Sequence, residues 1–185
     1  MGAPELRTET FELTPPRGDG SVVRGRATLP PAGPRGTGRA EPPPPCALLL
    51  HGFKGFMDWG FFPQLARELA AGGVAAVAFN FSGSGIGPDL ETFTEDEAFA
   101  RDTLTRQLED VELVREHVER ALAGARGLVD AQRVGIFGHS RGGGMALVHA
   151  AERGDYRAVA TWAAIPDIRR FDDATIELWR RQGFI

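Results

Sequence analysis

Short apolar runs alternating with stretches of helical periodicity limit this chain more than any other feature of its sequence. Cys46-Ala-Leu-Leu-Leu50, Val74 to Phe79, Arg133 to Phe137 and Ala158 to Ile165 are each too short for a helix. The first three are also unbroken by polar alternation, and all four read as strands, these three buried on both faces. Between them, Phe62 to Ala71 places Leu65, Ala66, Leu69 and Ala70 on one helical face and stops at Gly72-Gly73. A longer helix is predicted from Phe99 to Ala123, where Leu104, Leu108, Val111, Val114, Val118 and Leu122 recur every three or four residues. Arg141 to Ala151 and Asp172 to Gln182 read as further helices. Strand and helix in alternation imply right-handed βαβ crossovers, hence an α/β fold: a mostly parallel sheet with helices on both faces. Thr8 to Leu29, split by Pro15, Pro16, Gly18 and Gly20, adds two antiparallel strands at the N-terminal edge. The Pro-rich stretch 30–45 cannot enter a sheet or a helix interior and reads as a stiff exposed loop. At 185 residues the whole chain, 1–185, is expected to form one domain.

Charge and cysteine content exclude several classes. Twenty-one basic and 25 acidic side chains leave a formal charge of −4, which argues against a nucleic-acid partner. Cys46 is the sole cysteine, so neither an intrachain disulfide nor a multi-cysteine zinc site can form, and no metal is expected. Met1 to Leu13 has no apolar run resembling a secretory signal, and no segment approaches the roughly 18 apolar residues that span a bilayer. A soluble, cytoplasmic chain with no membrane partner is the expectation. The loop Gly83-Ser-Gly-Ile-Gly87 follows a strand but fails the dinucleotide pattern, because Pro88 follows and no helix begins there; no cofactor is expected. Glu91 to Glu97 reads as a solvated helix start capped by Thr94.

Chemistry concentrates at Gly138-His139-Ser140-Arg141-Gly142-Gly143, a G-x-S-x-G motif between a buried strand and a helix. A serine on such a sharp turn adopts strained backbone angles, and side chains two positions either side would collide. Gly138 and Gly142 remove those collisions, and Gly143 lets the helix approach the sheet. Ser140 is thereby presented as a nucleophile beside the positive end of the following helix. A second motif, His51-Gly52-Phe53-Lys54-Gly55, ends an earlier buried strand. There an acyl-transfer enzyme needs a backbone N–H for a developing oxyanion, and the N–H groups of Phe53 and Arg141 are assigned to that role. Both are main-chain donors, so the side-chain identities are not themselves required. His51 reads as a strand-end imidazole bonded to loop backbone rather than as a catalytic base.

Together these motifs resemble the alpha/beta-hydrolase superfamily, with edge strands, HGFKG after the third strand, Asn80-Phe-Ser-Gly83 after the fourth and GHSRGG after the fifth. The resemblance is greatest to the dienelactone-hydrolase and prolyl-oligopeptidase-like branch. It implies a serine hydrolase acting on an ester, thioester or peptide-like acyl group through an acyl-enzyme at Ser140. It also implies a triad acid and histidine on loops after the seventh and eighth strands. Here the sequence departs from the pattern. Only 45 residues follow Ser140, enough for two helices and one strand. The sole later histidine, His149, lies nine positions along the elbow helix and cannot turn back to Ser140. His139 should point away from the nucleophile, and His117 belongs to the long helix. Asp155, Asp167, Asp172 and Asp173 all fall early for the family's acid, Asp167 being the best placed of them. The expectation is a C-terminally truncated version of the fold that lacks its last two strands, its triad acid and its base.

Two consequences follow from that expectation. Strand 158–165 becomes an exposed apolar edge, through which the chain can self-associate. The alternative to an enzyme is a non-catalytic α/β domain that binds a small acyl ligand, or a partner chain at that edge. Of the aromatic residues crowding the HGFKG loop, Phe53 and Trp59 are assigned to a substrate pocket with Ser84 at its border, while Phe56, Phe61 and Phe62 read as core.

Overall fold

The computed structural model describes residues 6–31, 42–167 and 171–183. Its six strands, β1 (Arg7–Leu13), β2 (Val23–Leu29), β3 (Cys46–Leu50), β4 (Ala75–Asn80), β5 (Val134–His139) and β6 (Ala158–Trp162), form one sheet in the order β1-β2-β4-β3-β5-β6. β3 is parallel to both β4 and β5, and β5 is parallel to β6. β1 and β2 run antiparallel, as the N-terminal pattern predicts. Most of the Pro-rich loop, residues 32–41, lies outside the described residues.

The helices are α1 (Phe62–Ala71), α2 (Asp96–Ala100), α3 (Leu104–His117), α4 (Arg141–Arg153) and α5 (Asp173–Gln182), with a π-helical segment, Val118–Ala125, continuing α3. Helices α3 and α4 with the π-helical segment cover one face of the sheet, and α1 covers the other. On one face Val111, Val114, Val118, Leu122, Met145 and Ala146 pack against Leu48, Leu50, Val77, Phe79 and Ile136. On the other, Phe62 and Ala66 of α1 cover Leu49, Ala76 and Ala78. Central strands covered twice must be apolar throughout, which is why β4 is buried at all six positions.

Three local expectations need correction. The single helix from Phe99 to Ala123 is interrupted at Asp102, which turns inward instead of continuing the exposed face. Thr103 is extended (φ −140°, ψ 158°), and its hydroxyl accepts the Arg106 N–H at 3.2 Å to start α3. Helix α2 carries no side-chain cap, and the Thr94 N–H instead donates to Gly85 O. Strand β6 ends at Trp162 rather than Ile165, because Ala163 at φ 50° turns the chain out of the sheet.

Loops at the carboxyl ends of the parallel strands are held by buried polar contacts. The fully buried Asp110 accepts the Ser82 N–H and hydroxyl, each at 2.8 Å, and pairs with Arg17 at 2.8 Å, tying the loop after β4 to α3. The sheet's far edge is left open, with all five residues of β6 exposed. Beside it, Leu65, Leu69, Phe137, Ala158 and Ala160 line an apolar groove of about 820 Å³. Neither Ser140 nor the HGFKG loop lines that groove. No helix among the described residues is long and apolar enough to cross a membrane.

Candidate active site

Ser140 joins β5 to α4 with φ 55° and ψ −118°, a conformation that L-residues avoid. The glycines around it are dictated by backbone proximity. A methyl group on Gly138 would overlap the Gly142 carbonyl, and one on Gly142 would overlap the carbonyls of Leu50 and His51. On Gly143 it would approach Ala164 Cβ to 2.8 Å. Across the turn, a methyl on Gly52 would come within 3.1 Å of Ser140 Cβ, so the HGFKG loop presses directly on the serine.

These two loops enclose a small pocket of about 90 Å³, lined by Gly52, Phe53, Lys54, Gly55, Trp59, His139 and Ser140. Lys54 at φ 57° and a Gly55 N–H to Gly52 O bond of 3.1 Å curl the loop tightly around Phe53. Among the described residues no acceptor takes the Phe53 N–H. Arg141 opens α4, so its N–H lies at the positive end of that helix. A half-buried hydroxyl, a strained strand-to-helix turn and a loop N–H over one pocket are the parts that acyl transfer uses.

Residues 47–184 match the family model described as the alpha/beta hydrolase family. The chain belongs to the alpha/beta hydrolase family. Solved structures similar to this hydrolase-family chain include a dienelactone hydrolase from Anabaena variabilis, 19% identical with a TM-score of 0.63 over 88% of this chain and 66% of that one. The alpha/beta hydrolase GrgF from Penicillium is 20% identical, with a TM-score of 0.68 over 96% of this chain and 54% of that one. Est1E from Butyrivibrio proteoclasticus, in a structure with ferulic acid bound, is 21% identical with a TM-score of 0.61, covering 80% of this chain and 50% of that one. The chain thus spans between half and two thirds of the length of these relatives. Comparison with curated protein sequences gives no match.

In this alpha/beta-hydrolase chain the four histidines lie apart from the serine hydroxyl, or beside it without bonding it. His51 is buried and bonded at both ring nitrogens: Nδ1 donates to Gly52 O at 2.8 Å, and Nε2 accepts the Phe81 N–H at 3.4 Å. Burial pushes its imidazole down to about 4, so it is neutral and structural. His149 is held by Glu112 and the Tyr156 hydroxyl, each at 3.0 Å, and His117 stacks on Phe11. Contrary to the expectation from sequence, His139 is not directed away from the site. Its ring lies in the pocket wall among Phe61, Trp162 and Trp59, with centroids 5.4, 6.2 and 6.5 Å distant. Among the described residues no imidazole hydrogen-bonds Ser140 Oγ.

The remaining assignments divide. Phe53 and Trp59 line the pocket and are about half exposed, whereas Phe62 is core. Ser84 does not line it; its hydroxyl accepts the Ile86 N–H at 3.2 Å within its own turn. Two sets of contacts went unseen in the sequence. Phe61 and Trp162 join His139 in one aromatic cluster, and Asp102 reaches Arg141 at 3.3 Å across 39 residues of sequence. No local signal marks either, because both depend on strands β5 and β6 being neighbours or on α2 folding back.

Proposed function

We propose that this domain performs hydrolytic acyl transfer at Ser140 on an ester, thioester or peptide-like acyl group. The observation that carries the reading is the strained Ser140, held by Gly138 and Gly142 at the wall of the pocket that also contains Phe53. Ser140 Oγ attacks the acyl carbon, and its carbonyl electrons move onto oxygen. That oxyanion is met by the N–H groups of Phe53 and Arg141. As it collapses, the bond to the leaving group breaks and the leaving group takes up the Oγ proton through solvent. Water then attacks the acyl-enzyme, releasing the acid and returning a proton to Ser140 Oγ. Trp59, Phe53 and the rings around His139 favour an apolar or aromatic acyl chain. The proton on Ser140 Oγ has no imidazole acceptor among the described residues, so the domain by itself acylates slowly, with the oxyanion site and binding supplying about 10³–10⁴-fold over water. Intact-mass detection of a fluorophosphonate adduct tests this. Labelling that disappears in Ser140→Ala supports it, and a folded chain that takes no label overturns it.

A second reading is favoured by the bare edge of β6: a non-catalytic domain that binds an acyl ligand, or pairs through that edge with a second chain. It predicts association without any Ser140 adduct.

A further inference from the structure

The side chains of the two residues assigned as oxyanion donors meet, the Arg141 guanidinium lying over the Phe53 ring. Arg141 Cζ lies 4.0 Å from the centroid of the Phe53 ring, close enough for a cation–π contact. Arg141 Nη1 also donates to Asp102 Oδ2 at 3.3 Å, and Gln107 Nε2 donates to the same oxygen at 2.7 Å. The Asp102 carboxyl is nearly buried and seated against Gly83, where a methyl group would come within 2.6 Å of Oδ1. Among the described residues Oδ1 has no hydrogen-bond partner. A lone acid with an orphaned oxygen is expensive to bury, and Arg141 and Gln107 offset part of that. Farther out, Phe53 stacks on Phe99 with centroids 5.9 Å apart. The Phe53 ring is therefore gripped by a guanidinium whose own position is set from beneath the loop after β4.

We infer that Asp102 is a positioning residue: through Arg141 it fixes the Phe53 ring, and with it the two backbone N–H groups that receive the oxyanion. The inference rests on the proposed role of those N–H groups. It explains why Arg and Phe stand at two positions whose chemistry is purely main-chain. Arginine has the flat face that stacks on a ring while its edge binds a carboxylate, and lysine does not.

Two measurements on the full chain test it, each in Asp102→Ala and in Arg141→Lys. The first is the amide hydrogen-exchange rate of Gly55, the buried N–H that closes the Phe53 loop on Gly52 O, with Leu48 of β3 as the control for global folding. The second is Ser140 phosphonylation against fluorophosphonate concentration. Both variants are expected to speed Gly55 exchange about tenfold or more with Leu48 unchanged. Both should also lower the maximal phosphonylation rate about tenfold while the half-saturating concentration stays within twofold. Unchanged Gly55 exchange in a variant whose Leu48 remains protected overturns the inference. Faster exchange with an unaltered phosphonylation rate overturns it as well, since the grip would then order the loop without serving the hole. A wild-type chain that takes no label overturns the Ser140 reading, and the exchange arm then decides alone whether Asp102 holds Phe53. Should Asp102→Ala lose protection at Leu48, Arg141→Lys carries the test.

Discussion

The backbone N–H of Ser140 donates to the carbonyl of Trp162 over 3.0 Å, and the Ile165 N–H returns to the Ser140 carbonyl over 3.2 Å. The strained turn is therefore suspended from the last residue of β6, the strand whose outer edge is bare.

That edge should drive self-association of the chain. Val159 and Trp162 are 44% and 59% exposed on it. Light scattering is expected to show a mass that rises with concentration, and Val159→Lys, which places a charge on the edge, should return it to the monomer. A wild-type chain that stays monomeric at every concentration contradicts this.

Backbone strain at Ser140 predicts an inverted stability order. Glycine normally destabilises relative to alanine, but at φ 55° and ψ −118° alanine keeps the steric conflict that glycine relieves. Ser140→Gly is expected to be about 1 kcal/mol more stable than Ser140→Ala in urea unfolding. An alanine variant equal to or better than glycine removes the strain argument.

Gly142 faces carbonyl oxygens of β3 and the loop after it, which cannot move without parting the sheet. Gly142→Ala is expected to lose at least 3 kcal/mol or fail to fold. Gly154→Ala, where nothing lies within 4 Å of an added methyl group, meets only the positive φ of 73° and should lose about 1 kcal/mol. Equal losses at the two positions would show that packing at the elbow is not the reason for its glycine.

His51 and Asp102 oppose one another in the acid range. His51 is lowered from 6.5 to about 4 by burial, so the unfolded chain binds a proton there that the folded chain does not. Its contribution is present above 6.5 and is lost as pH falls towards 4, at up to about 1.4 kcal/mol per pH unit. Asp102 is raised from 3.8 to about 6, chiefly by burial, with Arg141 and Gln107 pulling back. In this case the folded chain holds the extra proton, so its contribution is present below 3.8 and is lost as pH rises through 6. Between pH 4 and 6 the two slopes have opposite sign. Asp102→Asn removes one, so stability of the variant should fall more steeply than wild type on acidification through this window. Parallel stability curves by chemical denaturation would refute the pairing.

Much of the architecture is written locally. Short apolar runs bounded by turn residues, as in β3 and β4, read as doubly covered strands. The need for Gly138 follows from its clash with Gly142 across the turn, whereas Gly142 is required by the carbonyls of Leu50 and His51 on a distant segment. Boundaries were less legible. A periodicity of three and four fits an α-helix and a π-helix alike, so the change of geometry at Val118 left no trace. The break at Asp102 was hidden because an acid in a helical pattern reads as solvated until its partners are known. His139 was misplaced for a similar reason, since its ring is directed by Phe61 and Trp162, residues from a helix entry and a neighbouring strand.

Sequence by itself determined the α/β alternation, the elbow and the serine it displays, because each arises from sterics and burial over a few consecutive residues. Tertiary structure alone decided which side chains surround that serine. Arg141 meets Phe53 and Asp102, His51 binds Gly52 and Phe81, and Ser84 turns to Ile86 because strand order and loop curvature bring distant segments within van der Waals reach. Contacts of that kind depend on where the whole sheet places its ends, and no local pattern encodes them.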